Sequence, residues 1–263
     1  MAAERTESAP AVDRAITVLE LLAASRFGLT LPELVQRTRW PKSSLHYLLV
    51  TLERRRYLYR NPLTGRYVFG LKLFSLATAA LNCVPIRYLA ASTMKQLTDS
   101  TGLTSHLAIL EQNEAILIAK LEPLGTCRLA TWVGKRMDMH CTGLGKAILA
   151  HLSSDLVDRL IGEHGLPRHN DNTLSSPRKL KEDLSRIRQR GYAIDDEEDE
   201  VGMRCIGAPV FDISGAVIAS ISVSGTTEQI RIENMGPLAE LVKSAAADIT
   251  GALSRSTQII RTA

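Results

Sequence analysis

The stretch TLPELVQRTRWPKSSLHYLLVTLE, residues 30–53, has the pattern of two short helices joined by a tight turn. Thr30 and Glu33 form a capping box, in which two side chains satisfy free N–H groups at a helix start. Pro41 suits the first position of the second helix, because the N–H that proline lacks would have no partner there. Apolar residues at i, i+3, i+4 and i+7 then mark the buried face of that helix: Leu45, Leu48, Leu49 and Leu52. This order predicts a helix-turn-helix.

A helix precedes this pair and a basic hairpin follows it. Apolar residues at helical spacing predict the first helix: Val12, Ile16, Leu19 and Ala23, with Ala15 and Leu22 beside them. After the pair comes the run Arg54-Arg55-Arg56, and the turn-rich tip Asn61–Gly65 then separates two short strand-like segments. These segments are interpreted as a two-stranded wing. Residues 8–70 are therefore predicted to form a winged helix-turn-helix domain.

Basic and short polar side chains occur where such a domain would meet nucleic acid. The first residues of a recognition helix enter the major groove, and cations on a wing contact phosphates. Residues 1–84 hold 12 Lys or Arg against 6 Asp or Glu, whereas the rest holds 20 against 22, so the front part is basic. Each of these features, taken alone, also fits the solvent-exposed face of an ordinary three-helix domain. Their combination predicts an interface with double-stranded DNA formed by Lys42, Ser43, Ser44, His46, Tyr47, Arg54, Arg56, Arg60 and Arg66.

The remaining chain alternates helical and strand patterns. Leu71, Phe74 and Leu81 predict an amphipathic linker helix over residues 71–84, although an ordinary core helix fits the same pattern. Residues 85–255 are predicted to form one mixed α/β domain, with a sheet in the middle and helices around it. The predicted helices cover 86–99, 143–151 with Thr142 as N-cap, a segment from Ser153 or Ser154, 177–190 and 237–253. The predicted strands cover 103–110, 115–121, 126–132, 203–211 and 216–224.

Several motifs resemble those of the IclR-type transcription regulators: VDRAITVLELLA (12–23), PKSSLHYLLVTLERRRYLYRNPLTGRYVFG (41–70), MDMHCTGLGKAILAHL (137–152) and RGYAIDDEEDEVGMRCIGAPVFDISGAVIASISVSG (190–225). The resemblance runs from about residue 10 to about residue 255. It implies a winged helix-turn-helix, a linker helix that helps to pair subunits into a homodimer or tetramer, and a GAF-like effector-binding domain with a central antiparallel sheet. Tyr47 stands where an Arg is common, and Arg39-Trp40 replaces a small residue and Leu, which leaves the operator sequence open.

A ligand site is suggested by polar groups in the second half. Ser220, Ser222 and Ser224 share one face of a strand, and buried hydroxyls need partners, which solvent, backbone or a ligand supplies. Gly143 and Gly145 lie in the first turn of a helix, where free N–H groups favour an anion. By the resemblance, the effector pocket maps onto Leu129, Gly143, Leu144, Asp195, Met203, Cys205, Ser222 and Ser224.

The function expected from these features is a ligand-responsive transcription regulator. Its effector would be a small organic or aromatic acid, and it would control a catabolic operon, with activation or repression left open. Cys205 also fits simple packing, and the acidic run 195–200 is typical of a solvated loop.

An enzyme with a Cys205 nucleophile is the alternative, with His106, His140 or His151 as its base. Nothing in the spacing selects one of these histidines. The chain also has no Gly-rich phosphate loop, no HExxH and no GxSxG motif, so no enzyme activity is predicted.

Composition sets further expectations. The four cysteines form no CxxC pair, and adjacent residues such as His140 and Cys141 seldom chelate one ion together, so neither a metal nor a cofactor is expected. No apolar run is long enough to cross a membrane, and the first ten residues carry no apolar signal segment. A cytoplasmic location without a membrane partner is therefore expected.

Overall fold

The structure is a computed structural model that describes residues 9–125 and 129–262, with side chains described up to residue 256. The described residues form two compact units that divide between Cys83 and Val84. Within these residues, no helix combines the length and the apolarity that crossing a membrane requires.

The first unit contains three helices, a hairpin and a fourth helix. In chain order these are α1 (Pro10–Ala23), α2 (Leu31–Thr38), α3 (Lys42–Arg54), β1 (Leu58–Arg60), β2 (Tyr67–Phe69) and α4 (Leu71–Asn82). The two strands pair antiparallel, with Leu58 opposite Phe69. Thr30 caps α2 as predicted, since its Oγ1 accepts from the N–H of Glu33 while the Glu33 carboxylate accepts from the N–H of Thr30 at 2.7 Å. The predicted helix-turn-helix, its wing and a helix after it are confirmed.

The core of this unit corrects two details of the prediction. Its buried residues are Val18, Leu22, Leu29, Leu34, Leu45, Leu49, Leu58 and Tyr67. On α1 the buried face contains Val18 and Leu22, whereas Val12 and Ile16 of the predicted stripe are 56% and 48% exposed. Because α1 is apolar on more than one face, packing against α3 and β2 selects the face that is buried. Pro41 precedes α3 as its N-cap, with an extended ψ of 132°, instead of occupying the first helical position.

The second unit is built on an antiparallel sheet. Its strands are β3 (Thr104–Glu111), β4 (Glu114–Leu121), β5 (Arg136–Met137), β6 (Ala193–Asp196), β7 (Met203–Phe211) and β8 (Val217–Thr226). They lie in the order β5-β4-β3-β8-β7-β6. Its helices are α5 (Pro85–Leu89), α6 (Ala91–Thr101), α7 (Gly143–Leu149), α8 (Ser154–His164), α9 (Pro177–Arg190) and α10 (Ile232–Thr262). The predicted central antiparallel sheet within a mixed α/β class is confirmed.

Two predicted helices have different boundaries in the structure. The helix predicted over residues 86–99 breaks at Ala90, which ends α5 and precedes α6. The last helix begins at Ile232 and continues through Pro237. Because proline removes a single backbone donor, the turn before it can still be helical when packing supports that turn.

Both edges of the sheet also differ from the prediction. Residues 126–128 of the predicted strand 126–132 lie outside the described residues, and residues 129–132 are not a strand; β5 forms this edge instead. At the other edge, Asp195 and Asp196 belong to β6, where Asp195 pairs with Cys205 of β7. Pairing with β7 supplies backbone partners that a solvated loop would take from water.

Two glycines let α7 begin directly on the sheet. A Cβ atom on Gly207 of β7 would lie 2.3 Å from the carbonyl oxygen of Gly143, and one on Gly143 would lie 3.2 Å from Cβ of Cys205. The first distance is far below van der Waals contact, so a side chain at position 207 would push the helix away from the strand. Ser220 of β8 holds the same turn by donating to the Leu144 carbonyl at 3.0 Å.

Candidate functional site

The start of α3 presents an exposed polar surface. Leu45 and Leu49 are buried and fix the helix to the core of its unit. The polar side chains of its first two turns are exposed: Lys42, Ser43, Ser44, His46 and Tyr47. The Tyr47 ring is 6.1 Å from the His46 ring. An anchored helix with a free polar end has the form of a recognition helix, which inserts such side chains into the major groove.

Arg66 makes its contacts inside the first unit. Its guanidinium donates to the Gly28 carbonyl at 2.7 Å and to the two carboxylate oxygens of Glu33 at 2.9 and 3.1 Å. These bonds tie the wing to the capped start of α2. They use three of the five N–H donors of a side chain that is 35% exposed, so the phosphate contact of Arg66 stays a prediction.

Three other predicted cations of the wing region are exposed. These are Arg54, Arg56 and Arg60. Arg60 lies over the Tyr67 ring, with its guanidinium carbon 5.7 Å from the ring centroid. Their charge is accessible to phosphates.

A cavity of about 50 Å³ lies at the start of α7 in the second unit. The structure brings all eight predicted effector-pocket residues to its wall: Leu129, Gly143, Leu144, Asp195, Met203, Cys205, Ser222 and Ser224. They come from β6, β7, β8, α7 and the segment before β5. Residues distant in sequence therefore converge on one site.

The three serines of β8 differ in their partners. Ser220 bonds to the backbone of α7, and Ser224 Oγ lies 3.3 Å from Nδ1 of His106. Ser222 is 1% exposed, and its Oγ has no hydrogen-bond partner among the described residues. A buried hydroxyl without a partner costs about 1–3 kcal/mol. Ser222 therefore offers a ligand in the cavity a free donor and acceptor.

His106 is the main cavity residue that sequence reasoning missed as a binding group. It lies on β3 directly opposite Ser222 of β8 and lines the cavity. Burial, and then the positive charges of Lys120 and Lys135, lower the pKa of His106 to about 3, so its imidazole is neutral at neutral pH. Its Nε2 lies 2.9 Å from Oγ1 of Thr131. Only the pairing of β3 with β8, two strands distant in sequence, reveals this placement.

Lys120 anchors the segment that borders one side of the cavity. Its Nζ donates to the carbonyls of Leu129 and Thr131 at 3.0 Å each and forms a salt bridge with Glu122 at 2.8 Å. Further lining residues were not predicted: Ala130, Thr131, Lys135, Met137, Thr142, Asp199 and Glu200. Lys135 brings a positive charge to this wall, which also carries the carboxyl groups of Asp195, Asp199 and Glu200.

Lys146 is fully buried in a network of carboxylates. Its Nζ donates to Asp183 Oδ2 at 3.0 Å and to the Glu198 carboxylate. Asp195 is 2% exposed, and its Oδ1 accepts from the backbone N–H of Glu198 at 2.8 Å. The prediction of a solvated acidic run is therefore wrong for Asp195 and Glu198, which are 2% and 7% exposed.

The free energy of unfolding of the second unit is expected to fall as the pH rises from about 4 to about 7. Burial raises the pKa of Asp195 from 3.8 to about 7, so the folded state keeps a proton that the unfolded chain releases in this window. The folded state then binds more protons than the unfolded state, and the slope against pH is negative. The share of Asp195 is at most about 4 kcal/mol. Asp195→Asn keeps the acceptor oxygen and should flatten the slope.

Melting temperatures measured across this pH range for both proteins check the expectation. The slope should not vanish, because burial also raises the pKa of Glu198 to about 7. An identical slope in the Asn variant would contradict the burial of a titrating Asp195.

Cys205 lines the cavity but is not activated as a nucleophile. Burial, and then Asp195, raise the pKa of its thiol well above the ordinary value, so the thiol is protonated at neutral pH. The thiolate is the reactive form of cysteine. His140 and His151 each hydrogen-bond a backbone carbonyl. This environment argues against the enzyme alternative.

Two family models match the chain. The IclR helix-turn-helix domain matches residues 11–62, and the C-terminal domain of bacterial IclR transcriptional regulators matches residues 78–251. The HTH-type transcriptional regulator BhcR of Paracoccus denitrificans is 36% identical and covers 95% of this chain and 89% of its own length. The transcriptional repressor IclR of Escherichia coli is 32% identical, with 94% and 91% covered.

Solved structures share the fold. The crystal structure of Thermotoga maritima IclR has a TM-score of 0.75 at 28% identity, covering 93% of this chain and 98% of that one. An IclR homologue from Microbacterium hydrocarbonoxydans, crystallised with 4-hydroxybenzoate, has a TM-score of 0.79 at 23% identity, with 92% and 98% covered. A helix-turn-helix unit joined to a sheet unit with a cavity defines a DNA-binding transcription regulator. The chain belongs to the IclR family of bacterial transcriptional regulators, which confirms the resemblance of its motifs.

Proposed function

We propose that the effector of this regulator is a small organic acid, aromatic acids included, which binds in the cavity beside α7. This proposal rests on the buried Oγ of Ser222, which has no hydrogen-bond partner among the described residues and lines the cavity beside the neutral His106 of the neighbouring strand. Lys135, which lines the cavity, supplies a positive charge for a carboxylate. The relative crystallised with 4-hydroxybenzoate supports an acid of this class. Repression of a catabolic operon is the output we propose, since curated relatives include repressors.

A thermal-shift screen of small carboxylates tests the effector class. A ligand that binds only the folded state, at 100 times its Kd, stabilises that state by about 2.7 kcal/mol. 4-Hydroxybenzoate and 4-hydroxybenzyl alcohol form a matched pair that differs in the carboxylate. Acids should raise the melting temperature and their neutral analogues should not; shifts confined to neutral compounds would refute the proposal.

The DNA partner is proposed to be a double-stranded operator that the start of α3 reads in its major groove. The exposed set Lys42, Ser43, Ser44, His46 and Tyr47 supplies the donors and acceptors for base edges. A homodimer or a tetramer would place two such helices on half-sites separated by about one helical turn or a multiple of it. An effector alters binding only if it has different affinities for the competent and incompetent states.

Arg56 and Arg66 are expected to respond differently to removal. Arg56→Ala should weaken binding to all DNA sequences and reduce the slope of log affinity against log salt by about 0.9 for each lost phosphate contact. Arg66→Ala should lower the stability of the first unit, because Glu33 and Gly28 lose their partner, while the salt slope stays unchanged. Fluorescence anisotropy with one DNA duplex at several salt concentrations measures both. A reduced slope for Arg66→Ala would show that this residue also contacts a phosphate.

Three further assignments complete the proposal. The DNA-binding domain spans residues 8–70, the linker helix 71–84 and the effector domain 85–255. The protein carries no enzyme activity, consistent with the raised pKa of the Cys205 thiol. Its site of action is the cytoplasm, where a bacterial regulator meets its DNA.

A further inference from the structure

Four residues from three separate connections bring metal-ligating atoms together near the start of α7. Asp138, Cys141, His169 and Asp199 each offer one ligand atom, and these atoms lie within 4.8 Å of one another. The first two belong to the connection between β5 and α7, His169 to the connection between α8 and α9, and Asp199 to the connection between β6 and β7. Three separate connections of the second unit therefore converge on one point.

The contacts within this group are between donors suited to a metal ion. Nε2 of His169 lies 3.1 Å from Oδ2 of Asp138, and Sγ of Cys141 lies 4.0 Å from Oδ1 of Asp199. A thiolate, an imidazole and carboxylates form a donor set typical of Zn²⁺, whereas Mg²⁺ and Ca²⁺ prefer oxygen ligands alone. Cys141 is buried while Asp138 and His169 are exposed, so an ion can enter from solvent.

His140 adds a second imidazole to the same place. With Cys141 and His169 it forms another group whose ligand atoms lie within 4.8 Å. Its Nε2 lies 2.9 Å from the carbonyl oxygen of Pro167. A carbonyl only accepts, so Nε2 carries the proton, and the neutral ring keeps its lone pair on Nδ1. Metal-binding histidines are oriented by this kind of outer hydrogen bond.

Negative charge is concentrated around Cys141. Burial, followed by the carboxylates of Asp199, Asp138, Asp195 and Glu198, raises the pKa of the Cys141 thiol. A divalent cation would neutralise these charges and stabilise the thiolate as a ligand. The charge pattern and the ligand geometry thus support the same conclusion.

We propose that Asp138, Cys141, His169 and Asp199 bind one divalent ion of the zinc class, with His140 beside them as a further ligand. The ion would join the three connections and hold Asp199, which also lines the effector cavity. Sequence spacing shows only the adjacent His140 and Cys141, which is why no metal is predicted from it. The inference does not depend on the identity of the effector.

Metal titration of the untagged full-length chain tests the site. After removal of metals with a chelator, calorimetry with Zn²⁺ should give one ion per chain. Co²⁺ should give the near-ultraviolet charge-transfer band of a cobalt–sulfur bond. Cys141→Ser should abolish this band, and His169→Gln should weaken Zn²⁺ binding at least by the roughly 10–100-fold that loss of an outer-shell partner costs. Cys83→Ser, which alters an exposed cysteine in the first unit, should change neither.

Any one of three results would overturn the proposal. These results are no Zn²⁺ binding by the wild-type chain, unchanged binding in His169→Gln, or a cobalt band that persists in Cys141→Ser and disappears in Cys205→Ser. His169 is exposed, so its Gln variant should fold normally, as circular dichroism can verify. The His169 result therefore decides the matter even if Cys141→Ser fails to fold.

Discussion

Lys146→Met is expected to lower the free energy of unfolding of the second unit by about 3–5 kcal/mol, the usual cost of breaking a buried ion pair. The fully buried Nζ of Lys146 is the cationic partner of Asp183 and Glu198. Methionine keeps much of the volume of lysine and removes the charge, so the Glu198 carboxylate stays buried without this cation, while Asp183 keeps Arg186 and Arg190 at 3.4 and 3.9 Å. Urea unfolding followed by tryptophan fluorescence measures the loss. A Trp40→Phe background confines the signal to Trp132 in the second unit.

Two controls make this result specific. Lys95→Met removes an exposed ion pair with Asp99 on α6 and should cost less than about 1 kcal/mol. Adding Glu198→Gln to Lys146→Met should recover part of the stability, because one uncompensated charge disappears. A loss for Lys146→Met no larger than that for Lys95→Met would show that the buried pair contributes no net stability.

Ser222→Leu is expected to abolish the effector response while DNA affinity stays intact. The leucine side chain would fill the cavity, which measures about 50 Å³. The thermal shift of about 2.7 kcal/mol expected at 100 times Kd should therefore vanish. Because we propose that the first unit binds the operator, gel shifts without effector should match those of the wild type. A preserved response would remove Ser222 from the ligand site.

Ser222→Ala tests the contribution of the hydroxyl group alone, because alanine removes this group without filling the cavity. The free protein should be as stable as the wild type or more stable, because the lost hydroxyl had no partner among the described residues. Effector affinity should fall by about 2–12-fold, which corresponds to the net 0.5–1.5 kcal/mol of one hydrogen bond. Unchanged affinity would show that the ligand does not contact this hydroxyl.

Local signals predicted the first unit well, because each depends on neighbours along the chain. The capping pair Thr30 and Glu33 is three residues apart, and Thr142 likewise caps α7 as predicted. The buried face of α1 was predicted wrongly at Val12 and Ile16, since that face depends on which elements pack against it. Secondary structure was thus predictable where its cause is local and less so where its cause is tertiary.

The residues of the cavity likewise divide into those that the sequence identifies and those that only the folded structure reveals. Strand alternation and the family resemblance identified Ser222 and Ser224, and the structure places both on the cavity wall. His106 required the register of two strands that are distant in sequence. The partners of Lys146 lie 37 and 52 residues away, and no spacing rule connects them. Charged clusters of this kind become visible only in the folded chain.

The close packing of α7 against β7 at Gly143 and Gly207 has an evolutionary consequence. At this end of the cavity, Gly143 contributes main-chain atoms only, and Gly207 tolerates no replacement that keeps the helix in place. Main-chain groups persist through point mutation, whereas the side chains of Leu129 and Met203 are open to exchange. Descendants of this protein can therefore acquire new ligand specificities by altering those side chains while they inherit the same main-chain end of the cavity.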